Sequence, residues 1–410
     1  MALIVQKYGG TSVADAERIK HVAQRIAARH AAGDQLVVVV SAMGDTTDEL
    51  LSLASQVSDH PEARELDVLL STGEMVTKTL VAMALHTLDV EAVSLTGAQA
   101  GLQTDTSHGR ARILAVEPAR IERELERGRV VIVAGFQGIS EELEVTTLGR
   151  GASDITPVAL AAALKAKRCE IYTDVDGIYS ADPRIEPQAR RLQDISYEEM
   201  LELSSLGARV LHPRAAELAM VFDIPIVVAS SFEEGTGTLI HGGVTMEQFN
   251  KVRGIAHDPH VAKVTLRGVP DQPGIAAAIF EPLAEHHISV DTIVQNASVE
   301  HLTDLTFTLA SSDLPKATKI VEEAAKGIGA GQVVAEDHVG KVSIVGTGIQ
   351  SAPGYAARMF RALSDADINM EMISTSEIRI TCIMKDTDVE KAVRALHAAF
   401  EMEKAEATEL

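Results

Sequence analysis

Lys7-Tyr8-Gly9-Gly10-Thr11-Ser12 joins a short apolar stretch, Ala2–Gln6, to a helical pattern that runs to about Ala32. Paired glycines let a backbone close on an anion, and a helix start turns free N–H groups and partial positive charge toward it. Lys7 adds a full charge, so the segment reads as a phosphate site rather than a bare strand-to-helix turn. It is neither a Walker A loop nor GxGxxG. Thr147-Leu148-Gly149-Arg150-Gly151-Ala152-Ser153-Asp154 opens a second helix. An arginine between glycines offers a planar fork to a carboxylate or phosphate, while Asp154 could be catalytic or only an N-cap. Glu74, in Ser71-Thr72-Gly73-Glu74, could serve a ligand, although favouring a helix dipole is the simpler account of it in isolation. Ser41 ends an apolar stretch and could face a ligand or cap a helix.

Tyr172–Arg184 is a long polar loop with aspartates at 174, 176 and 182. A calcium loop of EF-hand type would end in a glutamate at its twelfth position, and this one does not. A nucleotide-binding loop fits better. Arg209, in Gly207-Ala208-Arg209-Val210-Leu211-His212-Pro213, could reach a phosphate or face solvent. The 14 histidines form no HExxH and no metal spacing, so no resident metal site is expected.

These residues need elements to hold them. Val13, Ile19, Val22, Ala23 and Ile26 recur at helical spacing, with Ser12 and Asp15 as an N-cap pair and Gly33 as the stop. Leu36–Val40 is an apolar β-branched run of the kind buried in parallel sheets. Helical patterns recur near 48–58, 65–86, 118–127 and 156–166, and strands near 91–95, 130–134 and 170–173. Strands alternating with helices predict a parallel α/β sheet covered on both faces, with ligands at the carboxyl ends of the strands. Five glycines within Gly235–Gly243 mark an expected boundary.

Beyond it the chain repeats itself. Lys263-Val-Thr-Leu-Arg-Gly and Lys341-Val-Ser-Ile-Val-Gly each lead to a Pro-Gly pair, at 273–274 and 353–354. The 80-residue offset persists at Phe280/Phe360, Leu283/Leu363, Ile288/Ile368 and Ile293/Ile373. Each unit reads strand, helix, strand, strand, helix, and the first is finished by a strand at 332–336.

The length of 410 residues fits two or three domains. A net charge of −22 repels phosphate backbones and anionic membranes, which argues against a nucleic-acid partner and requires any phosphorylated ligand to be held by a local basic site. Two cysteines, Cys169 and Cys382, make no disulfide framework or CxxC zinc site. MALIVQK lacks the form of a signal peptide, and no apolar run approaches the ~20 residues of a bilayer span, so the expected location is the cytoplasm. With no tryptophan and 3% aromatics, the cores must be aliphatic.

Taken together and in this order, KYGGTSV, VVVSAMG, STGE, TLGRGASD, IYTDVDGIYSADPR and GARVLHPRA resemble the aspartokinase family, over essentially the whole chain. The resemblance implies an amino-acid kinase α/β sandwich with a parallel-rich central sheet, followed by two α+β ACT modules of βαββαβ type. The expected division is a catalytic domain at 1–245 and modules at 246–340 and 341–410. The implied reaction converts ATP and L-aspartate to 4-phospho-L-aspartate and ADP, the first step toward lysine, threonine, methionine and isoleucine. Lys7, Gly9 and Gly10 would hold the ATP phosphates beside Tyr8. Ser41, Thr173, Asp174, Tyr179, Asp182, Arg184 and Arg209 would line the nucleotide. Arg150 would clamp the α-carboxylate and Glu74 the ammonium of aspartate, with Thr46, Gly151 and Ser153 nearby, while Asp154 organises the catalytic groups and Mg²⁺ arrives on ATP. Tyr8 stands where phenylalanine is more usual, Arg209 where lysine is common, and Ala152 replaces a glycine.

The chemistry agrees: a carboxylate nucleophile with a reference pKa of ~4 needs no general base. What phosphoryl transfer needs is positive charge, in-line positioning and Mg²⁺. Another acyl-phosphate-forming amino-acid kinase and a non-catalytic amino-acid sensor are the competing readings. The resemblance further implies feedback inhibition by lysine and threonine. Effector contacts would lie at Asp271, Gly274, Ile275, Ala276, Asp291 and Gln295 in the first module, and at Tyr355, Ala356, Asn369, Met370, Ser376 and Glu377 in the second. Tyr355 and Met370 could instead be turn and strand-end residues only. The assembly is expected to be a homo-oligomer, or an α₂β₂ tetramer with a short subunit begun at Met246. Gly242-Gly243 just upstream could encode a purine-rich ribosome-binding site.

Overall fold

The computed structural model describes residues 2–208, 210–243, 251–296 and 301–404. Arg209, Met246 and the expected 245/246 division lie outside the described residues. The chain forms two compact units. One comprises 1–178, 191–204 and 209–247, the other 179–190, 205–208 and 248–410. The polar loop that follows Tyr172 is thus divided at Ile178/Tyr179.

The first unit runs β1 (Leu3–Tyr8), α1 (Ala16–Ala31), β2 (Gln35–Val40), α2 (Thr46–Val57), α3 (Ala63–His86) and β3 (Ala92–Leu95). It continues through β4 (Leu102–Thr104), β5 (Ile113–Val116), α4 (Ala119–Glu126), β6 (Val130–Ala134), β7 (Gln137–Ser140) and β8 (Val145–Thr147). Then come α5 (Ile155–Ala163), β9 (Arg168–Thr173), β10 (Asp194–Ser196), α6 (Tyr197–Ser205), α7 (Pro213–Phe222), β11 (Ile226–Ser230) and β12 (Thr238–His241). The main sheet is ordered β10-β12-β11-β9-β1-β2-β6-β3 and is parallel from β11 to β3. Leu36–Val40 is buried without alternation because both faces of this sheet are covered. A second sheet, β5-β4-β7-β8, had no counterpart in the sequence patterns, since three-residue strands such as β4 and β8 are too short to show a period.

Two details of the first unit bear on the sequence reading. The glycine-rich stretch contains β12, an antiparallel partner of β11, so the first unit extends through it. α3 is, by length and composition alone, long and apolar enough to cross a membrane. Here it packs against α1, β3, β6 and β8 and buries Asp67, Glu74 and Lys78, as a core helix does.

The second unit is built on β13 (Gly254–Pro270), α8 (Ile275–Glu285), β14 (Val290–Gln295), β15 (Leu302–Ala310), α9 (Leu314–Ile328), β16 (Val333–Val345), α10 (Tyr355–Asp365), β17 (Met372–Thr375), β18 (Arg379–Lys385) and α11 (Val389–Ala399). All strands join one antiparallel sheet, β14-β15-β13-β16-β18-β17. The two repeats each bury their helices in their own aliphatic core, around Ile279, Leu283, Phe307 and Val321 in one and Met359, Leu363, Cys382 and Leu396 in the other. The strands between them are shared. Val333–Glu336 pairs with Lys263–Leu266 inside the first repeat, while Gly254–Asp258 pairs with Lys341–Val345 inside the second. The second repeat therefore takes its closing strand from residues that precede the first.

Candidate active site

The carboxyl ends of β1 and β2 and the start of α5 meet in the first unit, the edge at which doubly wound sheets hold ligands. Lys7 is nearly buried, and its Nζ lies 2.8 Å from Asp154 Oδ1. Asp154 makes no side-chain cap bond to α5; its Oδ2 instead accepts from the His212 backbone N–H at 3.2 Å. Through the ion pair and the accepted bond, the carboxylate holds both the ammonium and the approach to α7. Ser41, at the end of β2, is not a helix cap either: its Oγ lies 3.1 Å from Ser153 Oγ.

The segment after β1 differs from expectation. Gly10–Val13 is a short 3₁₀ turn, and α1 starts only at Ala16, where Asp15 accepts from the Arg18 N–H at 2.9 Å. The first free helix N-terminus is thus already capped, and the N–H groups of Gly9 and Ser12 are used by the carbonyls of Tyr172 and Gly9. Positive charge at this edge rests on Lys7. Gly10 is dictated by close approach: a Cβ there would sit 3.0 Å from the Ala42 carbonyl oxygen and 3.2 Å from that of Gly44. Tyr8 is fully buried, its ring stacked on Tyr172 at 4.9 Å, so its backbone is the part that can meet a ligand.

Glu74 lies in the middle of α3, which disposes of the helix-dipole account. Gly73 lets that helix press on Ala42, where a Cβ would come within 2.8 Å of the alanine methyl. Glu74 Oε1 accepts from the Ala42 N–H at 3.2 Å, and its buried Oε2 has no partner among the described residues. Burial pushes the carboxyl up to about 7, against the lowering effect of backbone hydrogen bonds. A buried carboxylate oxygen lacking a donor suits a cation that arrives with a ligand. Thr46, nearby in chain order at the start of α2, donates to the Met43 carbonyl at 2.6 Å.

Arg150 sits between Gly149 and Gly151, at φ +108° and +75°, and pairs with Asp48 at 2.7 Å on the surface. Its loop is pinned at both sides. Arg214 donates to the Leu148 and Ala111 carbonyls at 2.7 and 2.9 Å. Buried Asp67 accepts from the Thr147 hydroxyl, the His108 ring and the Gly109 N–H. Sequence reasoning gave no role to Asp48, Asp67, His212 or Arg214. Arg214 stands in a quoted motif and could have been noticed, whereas Asp67 has no local signature.

Thr173 and Asp174 follow β9 in this unit, with the Thr173 hydroxyl donating to Asp174 at 3.1 Å. Tyr179, Asp182 and Arg184 belong to the second unit, where Asp182 pairs with the Arg184 guanidinium at 2.7 Å and is held below the usual carboxylate range chiefly by it. Among the expected effector residues, Gly274 and Gly354 take matching left-handed conformations, φ +93° and +105°, ahead of α8 and α10. Ile275, Ala276, Tyr355 and Ala356 are the first residues of those helices. Asp291 is held by Lys341 at 2.7 Å. Tyr355 stacks on Phe400, and Met370 receives the Cys382 thiol at 3.6 Å, so both pack structurally. Asp271, Gln295, Asn369 and Glu377 are exposed, and Ser376 is partly buried.

Comparison with known proteins follows the same division. Residues 2–230 match the amino acid kinase family, and residues 264–326 and 342–400 each match the ACT domain. An aspartokinase of Mycolicibacterium smegmatis is 52% identical over 406 residues, 98% of this chain and 96% of that one. The solved structure of E. coli aspartokinase III with aspartate and ADP, in an R-state, is 28% identical with a TM-score of 0.83, covering 97% of this chain and 99% of that one. The same enzyme with lysine and aspartate, in a T-state, is 27% identical with a TM-score of 0.73, at 97% and 99% coverage.

Proposed function

The chain belongs to the aspartokinase family and is an aspartate kinase that uses ATP; on that premise we propose how its residues divide the work. The observation that carries the reading is the buried Lys7–Asp154 pair at the sheet's carboxyl edge. The side-chain carboxylate of aspartate, already ionised at neutral pH, attacks the γ-phosphorus of ATP. One P–O bond forms to the acyl oxygen and the bond to ADP breaks, giving 4-phospho-L-aspartate with no proton to remove. Lys7, held by Asp154, meets the charge of the transferring phosphoryl group. Gly9 and Gly10 leave room for the phosphates, and Ser41 and Ser153 line the space beside them. Thr173, Asp174, Tyr179, Asp182, Arg184 and Arg209 serve the nucleotide, as their motifs imply.

Aspartate is gripped at both ends. Glu74, whose Oε2 lacks a partner, takes the ammonium, and Arg150 leaves Asp48 for the α-carboxylate. Thr46 and Gly151 shape that end. Among the described residues no three His, Cys, Asp or Glu side chains converge as a metal site. Mg²⁺ carried by nucleotide phosphates and water would offset phosphate charge.

We further propose that the enzyme opens the route to lysine, threonine and methionine, and that lysine and threonine bind the second unit at the positions named above. Capture of lysine by E. coli aspartokinase III supports the first effector. A steady-state assay with aspartate and ATP, run with lysine, threonine and both, tests this. Activity unchanged by either amino acid, with no heat of binding, removes the effector reading. Phosphorylation of glutamate in preference to aspartate would remove the substrate reading.

A further inference from the structure

The loop expected to serve the nucleotide continues past Ile178 into the second unit, and there it is built into the core of the second repeat. Ala181 is 3% exposed and sits among Ile344, Val389, Val393 and Leu396. The Ser180 carbonyl accepts from the Ile255 N–H at 2.8 Å, on the strand segment that closes that repeat. Ser180 Oγ accepts from the Arg190 N–H at 2.9 Å and lies 3.2 Å from His397 Nε2 on α11. Three residues before His397 on the chain, Arg394 is held by Glu390 at 2.7 Å and donates to the Ile185 carbonyl at 3.3 Å. Ser180 and His397 are both buried, at 0% and 1% exposure. Between these two anchors run Asp182 and Arg184. The Asp182 carbonyl accepts from the N–H groups of Ile185 and Glu186, closing the turn that presents them.

We propose that Ser180, His397 and Arg394 are positioning residues for nucleotide binding, through which the second repeat sets the conformation of the Tyr179–Arg190 loop. This rests on the reading of that loop as a nucleotide-binding loop. Local turns shape the middle of the loop, but what ties it to the rest of the unit comes from far along the chain. The Ser180 and Ile185 carbonyls accept from β13 and α11, so the placement of the loop is set by the repeat packed around it. Among the described residues no carboxylate is hydrogen-bonded to His397, and burial favours the neutral imidazole, which pairs through Nε2 with the Ser180 hydroxyl. Anything that shifts α11 against the sheet therefore moves Asp182 and Arg184 directly.

The test compares five variants of the full-length enzyme in steady-state kinetics, with ADP affinity measured by calorimetry. Ser180→Ala and His397→Leu remove the buried hydrogen bond, and Arg394→Met removes the surface anchor without touching the core. Each should raise KM for ATP and weaken ADP about fivefold to tenfold. KM for aspartate and kcat at saturating ATP should stay within about twofold of the parent, and His397→Gln, which restores an acceptor, should recover most of the loss. A merely structural role would instead lower thermal stability and worsen both Michaelis constants together. Arg184→Ala is the control for the underlying reading. If Arg184→Ala raises KM for ATP while Ser180→Ala, His397→Leu and Arg394→Met do not, the positioning role is overturned and the nucleotide loop stands. If Arg184→Ala has no effect on ATP or ADP, the loop reading itself falls and takes the inference with it.

Discussion

Two ion pairs in the first unit have nearly the same length and opposite surroundings. Lys7–Asp154 spans 2.8 Å with side chains 10% and 9% exposed, whereas Arg150–Asp48 spans 2.7 Å with side chains 78% and 60% exposed. Distance alone would rank them equal. Coulomb energy at a given distance rises as the surroundings lose water, while exposed pairs contribute little. The buried pair is a fixed part of the sheet edge, set before any ligand arrives. The exposed pair is a resting position on a glycine-flanked loop that can be left at small cost. A kinase for a small amino acid needs both kinds: a rigid charge for the phosphoryl group and a mobile one for a substrate that must enter and leave.

The sharpest way to break this contrast is at Lys7. Lys7→Ala deletes a preorganised charge and should lower kcat by about 10²–10³ with KM for aspartate little changed. Near-parental turnover, measured by ADP release, would end its assignment to the phosphate. Arg150→Ala should behave differently. Losing a charge-assisted grip on a carboxylate is worth ~1.5–3 kcal/mol, so KM for aspartate should rise roughly tenfold to a hundredfold while kcat falls far less. A kcat loss matching that of Lys7→Ala would mean that Arg150 also touches the transferring group.

The contrast was only half legible in the sequence. The motifs named Lys7, Arg150, Asp154 and Glu74, and the strand and helix patterns placed Lys7 at a carboxyl edge. They could not say which charge is buried, because burial of Asp154 depends on His212 and Lys7 reaching it from distant parts of the chain. The same limit explains Asp67, whose partners lie about forty and eighty residues away. In the second unit the 80-residue repeat exposed the duplication but not the strand exchange. The pairing of Gly254–Asp258 with Lys341–Val345 is a long-range register with no local mark. A product begun at Met246 would keep that segment, whereas one cut at the repeat itself would leave the second core without its closing strand.

Glu74 offers a third test, intermediate between the two pairs because it is buried but has no charged partner among the described residues. Its folded carboxyl titrates at about 7 and its unfolded value is 4.5. Below pH 4.5 both states are protonated; between 4.5 and 7 only the unfolded state ionises, so stability falls as pH rises through that window. At ~1.36 kcal/mol per pH unit the loss is about 3 kcal/mol. Glu74→Gln should remove this slope and melt at a higher temperature than the parent at pH 8. It should also raise KM for aspartate, since a neutral amide meets the ammonium poorly. In the parent, KM for aspartate should climb as pH drops below 7, as Glu74 takes up a proton that substrate must displace. Flat profiles of both Tm and KM between pH 5.5 and 8 would remove Glu74 from the substrate end.

The smallest effect is expected at Asp48, and it tests the exposed half of the comparison directly. Asp48 competes with substrate for Arg150, so Asp48→Asn should release the guanidinium and lower KM for aspartate, by about twofold given the weakness of exposed pairs. It should leave kcat and KM for ATP unchanged, because Asp48 lies on α2 and reaches Arg150 alone among the described contacts. Salt provides the second readout. Raising ionic strength from 0.05 to 0.5 M screens the surface pair as well as the grip on substrate, so part of the salt response of the parent is relief of the Asp48 competition. Asp48→Asn lacks that relief, and its KM should rise more steeply with salt than that of the parent. A tenfold change in KM on removing Asp48, insensitive to salt, would show that the 2.7 Å contact behaves as a buried pair and that burial is not what separates the two charges.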